Sequence, residues 1–142
     1  MAVRVLLADD STIIRKAIAH LLQQEPTVQL VAEASDFTQT LARELKPNIV
    51  ILDPHMPHIA GFTPQRVRKS LASCCDSILA ISLRSDKETL MLAEEFGAVC
   101  LLDKMELAQK LIPVILKASS ADKTFHKLGG TTAGDGVPPC EA

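Results

Sequence analysis

The sequence predicts an α/β domain, a parallel sheet wound on both faces by helices. Three observations lead there. Short runs of branched apolar residues alternate with helical-period segments from residue 3 to about residue 118, the pattern of parallel strands joined by crossover helices. Most of the strand segments are almost continuously apolar, as a sheet covered on both faces demands. With 47% of its 142 residues hydrophobic, the chain can fill one core but is too short for two ordinary domains.

The strand segments, in order, are VRVLLA (3–8), VQLVAEA (28–34), NIVILD (48–53), SILAIS (77–82) and AVCLLD (98–103). Gln29 and Glu33 make the second the most polar, so it is predicted as an edge. Between the first two strands, Ile14, Ala17, Ile18, Leu21 and Leu22 fall on one helical stripe, and Pro26 follows it. The next helix is expected from near Asp36 to no later than Lys46, because Pro47 disfavours the α conformation in the residue before it. Thr63 with Pro64 at the first helical position announces another helix. Ser85 with Glu88 reads as a capping box for the helix that Gly97 closes in a left-handed turn. In the last helix Ala108, Leu111, Ile112, Ile115 and Leu116 form a stripe interrupted by Pro113, which predicts a kink or an early break. From residue 119 to 142 the chain is rich in Gly, Ser, Thr and Pro without sustained period, and is predicted to be a flexible tail.

Composition narrows the function. A formal charge of -2 and four Phe as the only aromatic residues argue against direct nucleic-acid binding. No apolar run reaches membrane-spanning length, and the acidic pair after LLA rules out an N-terminal signal-peptide core, so a soluble cytoplasmic protein is expected. Cys74, Cys75, Cys100 and Cys140 contain no CxxC pair. Cys100, set in an apolar run, is read as a buried reduced thiol, and Cys74 and Cys75 as loop thiols, consistent with a reducing compartment.

Chemistry concentrates where strands end, since ligands of open parallel sheets bind beyond the carboxyl ends of the strands. The first strand ends on Asp9 and Asp10, the third on Asp53 and the fourth on Ser82, while Lys104 follows the fifth. If the first and third strands are neighbours, three carboxylates meet. Such a cluster repels itself unless a cation sits in it, and a hard divalent ion such as Mg²⁺ takes oxygen ligands of this kind. Asp53 could then serve as metal ligand and as nucleophile toward phosphorus, with Lys104 on the phosphate and the Ser82 hydroxyl as a donor. Taken singly, these residues have plainer readings: Asp9 and Asp10 as a helix-capping turn, and Ser82 as a turn cap. His55 and His58 have an H-x-x-H spacing, but no helix is expected through that Pro-rich loop to make them converge on a transition metal. His20 is expected on the solvated side of its helix. The glycines of GGTTAGDG lack the flanking strand and helix of a phosphate loop.

The segments VRVLLADDS, ILDPHMP, ILAIS and FGAVCLLDK, taken together, resemble a response-regulator receiver domain over residues 1–118. The nearest flavour is the LuxR/NarL-type regulators, here without their helix-turn-helix domain. The resemblance implies a flavodoxin-like fold with strand order 2-1-3-4-5. It implies Asp53 as phosphoacceptor, Asp10 as a direct and Asp9 as a water-mediated Mg²⁺ ligand, and the His55 backbone carbonyl as a further ligand. It also implies Ser82 as the switch hydroxyl and Lys104 as the phosphate partner. A sensor histidine kinase or phosphotransfer protein would be the donor, and slow self-hydrolysis would follow.

Three positions depart from the family's pattern. Leu83, after the switch hydroxyl, replaces a small residue and is expected to narrow access. Leu101 stands where the family keeps an aromatic switch residue, so coupling between hydroxyl and aromatic is expected to be weakened. Met105 replaces a proline often found in cis, a conformation that costs a non-proline bond about 3 kcal/mol. The expected function is a stand-alone receiver and not an enzyme, signalling through protein contacts, with the last strand and last helix as a candidate partner face. About two dozen residues after Ala118 are too few for a DNA-binding or catalytic output domain. The alternative is a receiver-like interaction module whose site Leu83 and Met105 have closed. A flavodoxin-like cofactor binder is disfavoured, because its phosphate would meet Asp9 and Asp10.

Overall fold

A computed structural model of the chain describes residues 2–36, 46–56, 63–73, 75–119 and 136–140. The strands β1 (Val3–Ala8), β2 (Val28–Ala34), β3 (Ile49–Leu52), β4 (Ser77–Ser82) and β5 (Cys100–Asp103) form one sheet in the order β2-β1-β3-β4-β5. Every neighbouring pair is parallel. The described helices are α1 (Thr12–Gln23), α2 (Pro64–Ala72), α3 (Lys87–Glu95) and α4 (Leu107–Ala118), the last preceded by a 3-10 turn, Lys104–Glu106. The expected helix between Asp36 and Lys46 lies outside the described residues. Lys46 itself has left the α region before Pro47, at φ +43°.

Strand periodicity sorts the core into two layers, because successive side chains point to opposite faces. Val5 and Leu7, Ile49 and Ile51, Leu79 and Ile81, and Cys100 and Leu102 face one way and meet Ile18 and Leu22 of α1 and Leu111, Val114 and Ile115 of α4. Leu6 and Ala8, Val50 and Leu52, Ile78 and Ala80, and Leu101 face the other and meet Val67 and Leu71 of α2 and Ala93 of α3. Both faces are therefore covered, and β2 lies at an edge, as its polarity predicts.

Local chemistry sets the helix boundaries, with two departures from expectation. Ser11 caps α1 and Thr63 caps α2 with Pro64 in the first turn. Gly97 closes α3 at φ +86°, and a Cβ there would press on the Arg68 side chain. The cap of α3, however, is Asp86 and not Ser85: the Asp86 carboxylate accepts from the Thr89 amide at 3.0 Å, one residue later than the predicted box. α4 also runs unbroken through Pro113. Pro113 is exposed, while Leu107, Leu111, Val114, Ile115 and Ala118 are buried on the opposite side. That apolar stripe outweighs the single backbone bond the proline deletes.

Two further expectations are corrected at the far edge of the sheet. Cys100 is not a reduced thiol: it is disulfide-bonded to Cys140, 40 residues away. The prediction of a flexible tail over 119–142 does not describe residues 136–140, which lie along β5 with Val137 and Cys140 buried. No local pattern signals such a pairing. The apolar layers on both sides of β5 supply the reason, since Val137 joins one and Cys140 the other. Cys75 carries no disulfide, and Cys74 lies outside the described residues. Among the described residues no helix is long and apolar enough to cross a membrane.

Candidate functional site

Register places the acids. Ala8 pairs with Leu52 across β1 and β3, and the ladder continues one residue further, with the Asp53 amide donating to the Ala8 carbonyl at 3.0 Å and the Asp9 amide to the Ala34 carbonyl at 3.0 Å. Asp9 and Asp53 are thus the first residues past two adjacent strand ends. On the other side Ser82 pairs with Asp103 across β4 and β5, so Lys104 leaves the sheet at the same rim.

The same device ends each of these strands. A side-chain oxygen accepts the amide two residues on and turns the chain away from the rim: Asp9 Oδ1 from Ser11 at 2.8 Å, Asp53 Oδ1 from His55 at 2.8 Å, Ser82 Oγ from Arg84 at 3.0 Å and Asp103 Oδ1 from Met105 at 2.8 Å. For both acids this occupies Oδ1 and aims Oδ2 at the centre. There the Lys104 Nζ lies 2.7 Å from Asp9 Oδ2 and 2.7 Å from Asp53 Oδ2, with its side chain 6% exposed. Toward Asp53 the bond is well aligned. The Asp9 oxygen is close to the ammonium yet out of line for a hydrogen bond, so a fully buried acceptor keeps unused capacity. Burial pushes the Lys104 ammonium down, but the hydrogen bond to Asp53 and the charges of Asp53 and Asp9 outweigh it and hold its pKa above the ordinary value.

Asp10 is exposed at the rim, and carboxylate oxygens of Asp9, Asp10 and Asp53 all lie within 4.8 Å of one another. With all groups ionised, three carboxylates against one ammonium leave two negative charges in a small volume, and every donor is a hard oxygen. A divalent cation of the Mg²⁺ class fits that charge and donor set, and the unused capacity of Asp9 Oδ2 agrees with it.

Beyond these residues the structure brings in groups the sequence did not single out. Arg15 donates to the Asp9 backbone carbonyl at 2.6 Å and pairs with Glu33 at 3.4 Å, tying α1 and β2 to the acidic corner. The His55 ring lies 3.0 Å from the hydroxyl of Thr89, a fully buried residue of α3. His58, the other member of the H-x-x-H spacing, lies outside the described residues. A threonine among the apolar residues of a helix stripe was the one available hint of Thr89. His20 is exposed, as predicted.

The departures also have positions. Leu83 is 64% exposed and Met105 79% exposed, so neither fills the acidic pocket. No peptide bond among the described residues is cis, the bond before Met105 included. Leu101 is buried in the same apolar layer as Val137.

Residues 5–116 match the family model described as the response regulator receiver domain. Among curated proteins, the chain is 35% identical over 99 residues to protein-glutamate methylesterase/protein-glutamine glutaminase 3 of Geobacter sulfurreducens, covering 68% of this chain and 26% of that protein. It is 35% identical over 117 residues to protein-glutamate methylesterase/protein-glutamine glutaminase 2 of Cereibacter sphaeroides, covering 80% and 32%. The chain thus spans about a third or less of these relatives. Among solved structures, the signal receiver domain of NarL from Mycobacterium tuberculosis superposes with a TM-score of 0.73 at 23% identity, covering 85% of this chain and 98% of that one. The response regulator domain of Thermotoga maritima CheB gives 0.71 at 23% identity, covering 86% and 99%.

Proposed function

This chain belongs to the response regulator receiver domain family, and from that premise we propose that it accepts a phosphoryl group on Asp53 in a Mg²⁺-dependent reaction. The donor is a sensor histidine kinase or a phosphotransfer protein, the setting is the cytoplasm, and the output passes through protein–protein contacts. The observation that carries this reading is the buried ammonium of Lys104 held 2.7 Å from both Asp9 and Asp53 beside a third carboxylate.

In the transfer a carboxylate oxygen of Asp53 attacks phosphorus. The new O–P bond forms as the P–N bond to the donor imidazole breaks, and the electron pair leaves with the nitrogen. Lys104 has three N–H groups, so it can keep Asp9 and still take charge that develops on the phosphoryl oxygens. Ser82, whose Oγ accepts from the Arg84 amide, retains its own proton to donate to a phosphoryl oxygen. Asp9, Asp10, Asp53 and the His55 carbonyl would hold Mg²⁺, which when bound neutralises charge on the transferring oxygens. Ile13 in the first turn of α1, Leu83 just after β4 and Met105 just after β5 have exposed side chains, at the strand-end rim where a donor protein must approach Asp53.

The exposure of Leu83 and Met105 speaks against an interaction module with a closed site. The methylesterase activity named for the curated relatives is not proposed for this chain, because the match covers about a third or less of those proteins. Incubation with acetyl phosphate and Mg²⁺ should add the mass of one phosphoryl group to the wild-type chain and none to Asp53→Asn. An unmodified wild type, or equal labelling of the variant, would refute the reading.

A further inference from the structure

Residues 136–140 add a short outer rank to the sheet that phosphoryl transfer does not use. The Leu101 amide donates to the Pro138 carbonyl at 3.0 Å, and the Cys140 amide donates to the Leu101 carbonyl at 2.8 Å, a parallel bridge centred on Pro139. The Val137 amide donates to the Leu90 carbonyl of α3 at 3.2 Å. Gly136 makes this entry at φ +79°, where a Cβ would come within 2.5 Å of the Leu90 backbone. Val137 is buried in the layer beneath α2 and α3, and Cys140 in the opposite layer, bonded to Cys100.

Lifting this segment would leave the Leu101 amide and carbonyl unpaired on an apolar sheet edge. Such an edge is a ready template for an extended strand. A cavity of about 260 Å³, bounded by Arg84, Leu90, Leu101, Lys110, Pro139 and Cys140, runs along the segment and reaches Cys140.

We propose that the Cys100–Cys140 disulfide is a redox latch that fixes the chain's own residues 136–140 on the β5 edge and closes that edge to other strands. A dithiol opens it. One thiolate attacks a sulfur of the pair, the Cys100–Cys140 bond breaks, and the second thiol resolves the mixed disulfide. Two electrons and two protons pass to the cysteines, and the reductant departs as its cyclic disulfide. Because the bond closes a loop of 40 residues, its loss favours the lifted segment by roughly 10²- to 10³-fold.

The test uses the full chain, oxidised or reduced with dithiothreitol and alkylated, together with Cys140→Ser, each checked by circular dichroism for an intact fold. Reduction is expected to raise hydrogen exchange at the Leu101 and Cys140 amides by roughly 10²- to 10³-fold with little change at β1 and β3. A synthetic peptide of residues 136–140 with serine for cysteine, added at millimolar concentration, should shift the β5 amide resonances of the reduced protein and of Cys140→Ser but not of the oxidised protein. Equal protection of Leu101 in the oxidised and reduced chains would overturn the proposal. So would peptide binding that ignores the redox state, or peptide mapping that finds Cys100 and Cys140 unbonded in the oxidised chain.

Discussion

Lys104 neutralises two carboxylates that the sheet has already removed from water: Asp9 is fully buried and the Asp53 side chain is 10% exposed. Deleting the ammonium leaves both without their cation, the situation in which breaking a buried pair is most costly. Lys104→Ala is therefore expected to lower stability by about 3–5 kcal/mol in metal-free buffer, measured by urea unfolding, with a smaller deficit when Mg²⁺ is added. Leu83 behaves oppositely. Its bulk next to Ser82 suggested a narrowed entrance, but the strand ends at Ser82 and its turn carries the following side chain into solvent. Leu83→Ala should change stability by no more than about 0.5 kcal/mol and leave the acetyl phosphate labelling rate unchanged within about twofold. The polar positions of the site were legible because each sits within two residues of the end of an apolar run. Side-chain direction beyond the strand ends was not, since the period that predicts it stops there.

At the scale of the element, α3 and α4 show which local signals lose to their surroundings. Ser85 and Asp86 both suit a cap, and sequence spacing favoured the serine. Asp86 prevails because its carboxylate is bound by the Thr89 side chain, by the Arg84 guanidinium and by the Thr89 amide, which together hold it well below the ordinary value of 3.8. A carboxyl depressed in the folded state contributes stability that is present above its unfolded pKa and is lost as the pH falls toward the folded one. Asp86→Ala should accordingly lower the urea midpoint at pH 7, and the gap to wild type should shrink as the pH is lowered from about 4. In α4 the proline rule lost to burial, and Pro113 remains a local defect in a helix held by its other face. Pro113→Ala restores a donor toward the Gln109 carbonyl on an exposed surface, and is expected to raise stability by up to about 3 kcal/mol in the same measurement.

The whole molecule divides between what neighbouring residues reveal and what distant ones decide. Alternation of strands and helices and the polar edge strand β2 follow from patterns within single segments, whereas strand order, and with it the convergence at the rim, followed once those segments were matched to a family. The outer rank at β5 did not, because Cys100 and Cys140 are joined across 40 residues by burial on opposite flanks of an edge rather than by spacing. By the loop it closes, that disulfide should contribute about 4 kcal/mol, so chemical denaturation with and without reductant should show a drop of that order. Its outermost residues, Pro138 and Pro139, carry no amide proton between them. Whatever approaches this flank finds a border with no donor to grip, a guard against fibrillar growth through stacking of one molecule's sheet onto the next. In a thioflavin assay the reduced protein should therefore nucleate sooner than the oxidised one.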